Sequence, residues 1–138
     1  MKTAATSLAV AFILVGCVKN DSRGFPVSDL RNAIAAQEVI ELTNFTKFSW
    51  DTVHFFAPYT PPDAIKREVG KEIPFPHSNS EGYCLVVFMA GSTVARSFEV
   101  KRSDADFSLL YRPGDYRQGE TKFTVVRSTD GWKKLKHG

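Results

Sequence analysis

The sequence predicts an α+β fold: a single small domain with a mostly antiparallel sheet of about five strands and two helices packed on one face. Three observations lead there. Helix starts with nearby stop signals stand at Ser28 and Thr60. Apolar, β-branched runs meet across tight turns at Gly91-Ser92 and at Ser128 to Gly131. The order is helix, strand, helix and then four strands, which gathers the strands instead of alternating them with helices.

Length and composition support such a domain. The chain has 138 residues, 43 % of them hydrophobic and 12 % aromatic, with Phe occurring 11 times. A chain of this size buries about two-thirds of the surface it exposes when unfolded, and its apolar content is too high for a disordered segment. The isoelectric point of about 8.9 reflects a formal charge of only +3. So small an excess gives no footprint for nucleic acid, and none is expected as a partner.

The first element is a targeting segment. Lys2 is the only charge before a mostly apolar run from Ala4 to Val15. Crossing a bilayer takes about 20 apolar residues, so the run is too short to span and reads as a signal-peptide core. It closes on Leu14-Val15-Gly16-Cys17 and continues into polar Lys19-Asn20-Asp21-Ser22. That box resembles the lipobox of bacterial lipoproteins. The resemblance implies diacylglycerol on the Cys17 sulfur, cleavage just before Cys17, and acylation of the new amine. Buried acyl chains contribute about 0.8 kcal/mol per CH₂, so two or three of them anchor a protein well beyond the marginal single-chain case. Val18 after the cysteine, in place of Asp, resembles the lipoprotein pattern sorted to the outer membrane, which implies its periplasmic side if the host is Gram-negative. The expected layout is a signal peptide over 1–16, a tether over 17–26 and one domain over 27–138.

Within the domain, Ser28 stands where an N-cap belongs and Asp29 falls in the first turn, which predicts an alanine-rich helix from Leu30 to Leu42. Ser49 to Phe56 is dense in β-branched and aromatic residues and predicts a strand. On that strand Asp51, Val53 and Phe55 share one face, and Trp50, Thr52, His54 and Phe56 the other. Pro58 must end it. Thr60 is the expected cap of a second helix, Pro62 to Val69, with Pro61 suited to the first turn and Asp63 completing a capping box. Gly70 supplies the left-handed stop. After a proline-containing loop, Tyr83 to Ala90 and Thr93 to Lys101 read as a hairpin turned by Gly91-Ser92. Unbroken alternation would put Leu85, Val87, Met89, Val94, Phe98 and Val100 on one face and Cys84, Val86 and Phe88 on the other. The first of these strands is apolar on both sides and should be central. Asp104 to Leu110 suggests a helical turn and Arg112-Pro113-Gly114-Asp115 a tight turn. Thr121 to Arg127 and Trp132 to Lys136 form a last hairpin, with Lys133, Lys134 and Lys136 guarding an open edge.

Little in the chain carries catalytic chemistry. Asp51 and His54 are a possible carboxylate–imidazole pair, but on one strand they point to opposite faces, which predicts a solvent-side His54 and an Asp51 bonded to a backbone group or a cap. His77 and His137 lie in a loop and at the terminus, and no zinc-type spacing occurs, so neither a metal nor a cofactor is expected. Once Cys17 is acylated, Cys84 is the remaining thiol; its apolar neighbours predict a buried hydrophobe. The basic cluster of Lys133, Lys134, Lys136 and His137 could meet anionic lipid or polysaccharide. The loop aromatics Tyr59, Phe75 and Tyr83, with His77, offer a possible interaction surface.

The stretch from Trp50 to Thr60, with the helix after it and Leu85-Val86-Val87-Phe88, resembles a group of small bacterial proteins, many of them lipoproteins. They share a Trp-Asp strand running into a Pro-Tyr-Thr helix start. The resemblance covers most of the mature domain and implies no catalytic residue. The expected function is that of a non-enzymatic cell-envelope lipoprotein that binds an envelope protein or a cell-wall component. An inhibitor or immunity-type protein is the alternative, and a small hydrolase the third reading.

Overall fold

The computed structural model describes residues 25–129 and 131–138. In chain order its elements are α1 (Val27–Ala36), β1 (Val39–Glu41), β2 (Thr52–Phe56), α2 (Pro62–Val69), β3 (Tyr83–Ala90), β4 (Thr93–Lys101), β5 (Tyr116–Arg117), β6 (Lys122–Arg127) and β7 (Lys133–His137), with short 3-10 turns between. Cys17 and the signal segment lie outside the described residues. Among the described ones, no helix is long and apolar enough to cross a membrane. Phe25, at the end of the expected tether, is 1 % exposed, and its ring lies 4.8 Å from that of Phe98.

The domain is α+β, as expected, but its strands form two antiparallel sheets rather than one. The four-stranded sheet runs β4-β3-β2-β5 and the three-stranded one β1-β6-β7. Two short strands escaped the sequence reading. β5 is only two residues long, pairing with Thr52 and Val53. β1 occupies what read as the end of the first helix: α1 stops at Ala36, Gln37 is already extended, and Ile40 pairs with Phe123 of β6. Helix propensities differ by tenths of a kcal/mol, whereas burying Ile40 and Leu42 and completing a ladder is worth more. At the front of α1, Pro26 rather than Ser28 holds the N-cap position.

The helices cover opposite faces of the four-stranded sheet, not one face. Leu30 and Ile34 of α1 belong to the large core with Val53, Phe55, Val86, Phe88, Phe98 and residues of the second sheet such as Phe123 and Leu135. Ile65 and Val69 of α2 pack on the other side with Phe56, Leu85, Val87 and Met89. The cause lies in β2 and β3, which are apolar on both sides and need a cover on each.

The β3–β4 hairpin has the expected boundaries, and Gly91 turns it at φ 59°. Its facing is not as expected. Met89 pairs with Val94 but Phe88 with Arg96, so Ala95 is an extra residue in β4. One bulged residue sends every later side chain to the other face. Phe98 and Val100 therefore join Val86, Phe88 and Cys84 in the large core. Trp50 likewise departs from the strand pattern. It precedes β2, packs 5.0 Å from Phe88, and donates from Nε1 to Thr46 Oγ1 at 2.9 Å.

Two local expectations are corrected. Thr60 does not cap α2; Pro61 occupies the N-cap position. The Thr60 hydroxyl donates instead to the Ala57 carbonyl at 2.6 Å, closing the turn that holds Tyr59 at φ 65°. The β7 edge is not open either. Asp106 N donates to the Lys133 carbonyl at 3.3 Å, and Leu135 N donates to the Asp106 carbonyl at 3.0 Å, a parallel bridge along that edge.

Candidate functional site

Three turns converge beside β2 and enclose an open pocket of about 580 Å³. One is the end of α2 at Gly70, φ 83°; the second is the hairpin tip at Gly91; the third is the turn at Gly114, φ 92°, just before β5. Glycine suits these positions because positive φ costs it nothing. Two carboxylates fasten the walls. Glu68 Oε2 accepts from Gly114 N at 2.9 Å, tying α2 to the β5 turn. Asp51 Oδ2 accepts from Gly91 N at 2.7 Å, tying the hairpin tip to the start of β2. Thr52, His54 and Met89 also line the pocket, with Val69, Lys71, Ser92 and Asp115.

His54 lies here because of the pleat. Val53 and Phe55 enter the large core, so Thr52, His54 and Phe56 face the α2 side. The expected solvent-side His54 is therefore corrected: it is only 7 % exposed. Its ring stacks on Phe56, 6.0 Å away and within 7° of parallel. Its buried Nδ1 has no hydrogen-bond partner among the described residues. Leaving a buried polar atom unpaired costs about 1–3 kcal/mol; Arg96 Nε and Asp106 Oδ2 likewise lack a hydrogen bond among the described residues.

Burial, the larger cause, moves the His54 pKa below its ordinary 6.5, while the negative charges of Asp115 and Glu68 partly oppose the shift. The sign of the resulting pH dependence follows. Between the folded value and 6.5 the unfolded chain binds more protons, so stability is full above that window and declines as pH falls through it. Urea denaturation across the window should show a downward step that His54→Gln removes. Identical pH profiles for the two proteins would contradict this assignment.

The other two histidines are already engaged. His77 Nδ1 lies 2.8 Å from Glu99 Oε2, its backbone N donates to Glu99 Oε1 at 2.8 Å, and its ring stacks 4.2 Å from that of Tyr83. His137 packs its ring 5.3 Å from that of Tyr116. Asp51 is bonded to backbone, as expected, and does not meet His54. Phe75 is buried in the smaller core while Tyr59 is exposed, so these loop aromatics do not form one surface. A second groove, about 510 Å³, runs between Pro62, Lys66, Ile73 and Phe75. There the Lys66 and Glu72 charges on the rim approach each other at 3.7 Å.

Cys84 is fully buried, as expected. Burial, with the Asp106 charge adding to it, pushes its thiol up to about 12. The thiolate is the nucleophile, so native Cys84 should resist iodoacetamide until the protein is unfolded by urea. Rapid labelling without unfolding would contradict its placement in the core.

Sequence reasoning missed Glu68, Lys71 and Asp115. Each lies within two residues of a positive-φ glycine, and that proximity to a turn was the available signal. No protein-family model matches the chain, and neither a curated protein nor a solved structure matches it.

Proposed function

We propose that this chain is a lipid-anchored, non-enzymatic binding module of a bacterial cell envelope, and that the pocket beside β2 receives what it binds. The observation that carries this reading is the largely buried His54 imidazole in the wall of an open polar pocket, its Nδ1 enclosed and without a hydrogen-bond partner among the described residues. A binding site holds hydrogen-bonding groups ready for an outside partner. A general base needs a nucleophile within reach, and the His54 Nδ1 has no hydrogen-bond partner among the described residues. The Leu14-Val15-Gly16-Cys17 box supports the location, with a short polar segment between Cys17 and the core residue Phe25.

Replacing the acyl acceptor tests the anchor. Cys17→Ser should leave an unprocessed precursor and abolish fatty-acid labelling of the chain. Equal labelling of wild type and variant would end the lipoprotein reading. Crosslinking in intact envelopes tests the binding role. Envelope or cell-wall components captured from the pocket rim support a binding module, whereas one stoichiometric enzyme would make the chain an inhibitor or immunity-type protein.

A further inference from the structure

We propose that the pocket beside β2 is a receptor for a protonated primary amine, which Glu68 and Asp115 hold by charge while the His54 ring accepts one of its N–H groups. The proposal rests on the binding reading above and specifies its ligand class. Three features carry it. Glu68 and Asp115 approach from different elements, α2 and the β5 turn, with the single cation Lys71 exposed among the lining residues. Among the described residues only one oxygen of Glu68 is used, by Gly114 N, which leaves the other for a ligand. Among the described residues no hydrogen bond satisfies the Asp115 side chain; its backbone carbonyl accepts from Arg112 Nη2 at 2.6 Å.

His54 gives the acidic pair its direction. An ammonium brings several N–H donors and no acceptor, so it needs acceptors on more than one side. The two carboxylates supply anionic ones and the imidazole a neutral one through Nε2, since Nδ1 is enclosed. Burial keeps His54 uncharged near neutral pH, and an uncharged ring accepts from a cation where a charged one would repel it. Thr52 and Ser92 add hydroxyls for the rest of a small polar ligand. An acidic ligand fits this set poorly, because it would face two carboxylates and have only the exposed Lys71 to pair with.

Primary amines reach an envelope protein from three sources, namely amino sugars, the lysine-type side chains of peptides, and free diamines. The test uses the full chain in a non-ionic detergent, titrated with glucosamine, a lysine-containing tripeptide and cadaverine, each beside its N-acetylated form. Amide resonances of Gly70, Gly91 and Gly114 should shift with at least one free amine and not with its acetylated partner; the amine that binds tightest names the source. Asp115→Asn and Glu68→Gln should each weaken that binding about 10- to 100-fold, the range for losing one charge-assisted hydrogen bond. Glu72→Gln removes an equal charge at the other groove and should change nothing. If an acetylated probe shifts the same amides as strongly as its amine, the ligand class is wrong while the pocket remains a binding site. If no probe of either kind moves those amides, both the amine proposal and the pocket reading fall.

Discussion

Phe88→Ala should lower the unfolding free energy by about 3–5 kcal/mol, the range for deleting a large buried aromatic side chain. Phe88 is fully buried in β3, the strand between β2 and β4. Four aromatic rings meet it: Phe48 and Trp50 at 5.0 Å, Phe25 at 5.6 Å and Phe98 at 6.0 Å. They come from three separate segments, the stretch before α1, the connection into β2 and β4, so none can close the cavity without pulling its own element out of place. Phe88→Leu keeps much of the volume and should cost far less, below about 2 kcal/mol. Urea denaturation followed by tryptophan fluorescence reads both variants, since Trp50 lies against the deleted ring. A loss below about 1 kcal/mol for the alanine variant would mean the aromatic cluster is not where the core is held together.

What the sequence made legible was local chemistry. Gly70, Gly91-Ser92 and Pro113-Gly114 each announce a turn because positive φ is a property of the residue itself. α2 and the β3–β4 hairpin could be bounded from such signals alone. What escaped depends on distant partners. Residues 38–42 carry no clean alternation, and only the ladder to β6 makes Val39–Glu41 a strand. The bulge at Ala95 leaves no trace in composition, and it reversed the facing of Phe98 and Val100.

The pocket shows the same division. His54 was correctly put on the face of Phe56, but its burial follows from α2 lying on that face, which alternation within β2 cannot disclose. The three glycine turns were read one by one. Their convergence rests on Glu68 reaching Gly114 and Asp51 reaching Gly91, contacts 46 and 40 positions apart in sequence. Cys17, by contrast, is marked entirely by its sequence neighbours, Leu14-Val15-Gly16.

Asp106→Ala should also cost about 3–5 kcal/mol, for a different reason: it strips the counter-charge from a largely buried guanidinium. Asp106 is fully buried. Its Oδ1 accepts from Arg102 Nε at 3.1 Å and from Ser108 N at 3.0 Å, and its Oδ2 lies 3.1 Å from Arg102 Nη2. Arg102 in turn donates from Nη1 to the Glu81 carbonyl at 2.9 Å and lies over the Trp132 ring at 4.1 Å. The pair therefore joins the start of β3, the end of β4 and the segment before β7. Much of the penalty comes from leaving Arg102 charged and uncompensated, so removing that charge as well should restore part of it. Arg102→Met keeps apolar contact with Trp132 and carries no charge. The double variant Asp106→Ala with Arg102→Met should thus be more stable than Asp106→Ala alone, with a coupling of about 0.5–3 kcal/mol from the four denaturation curves. Strict additivity of the two single losses would show that the ion pair is incidental and that the backbone bridge from Asp106 to β7 holds this corner without it.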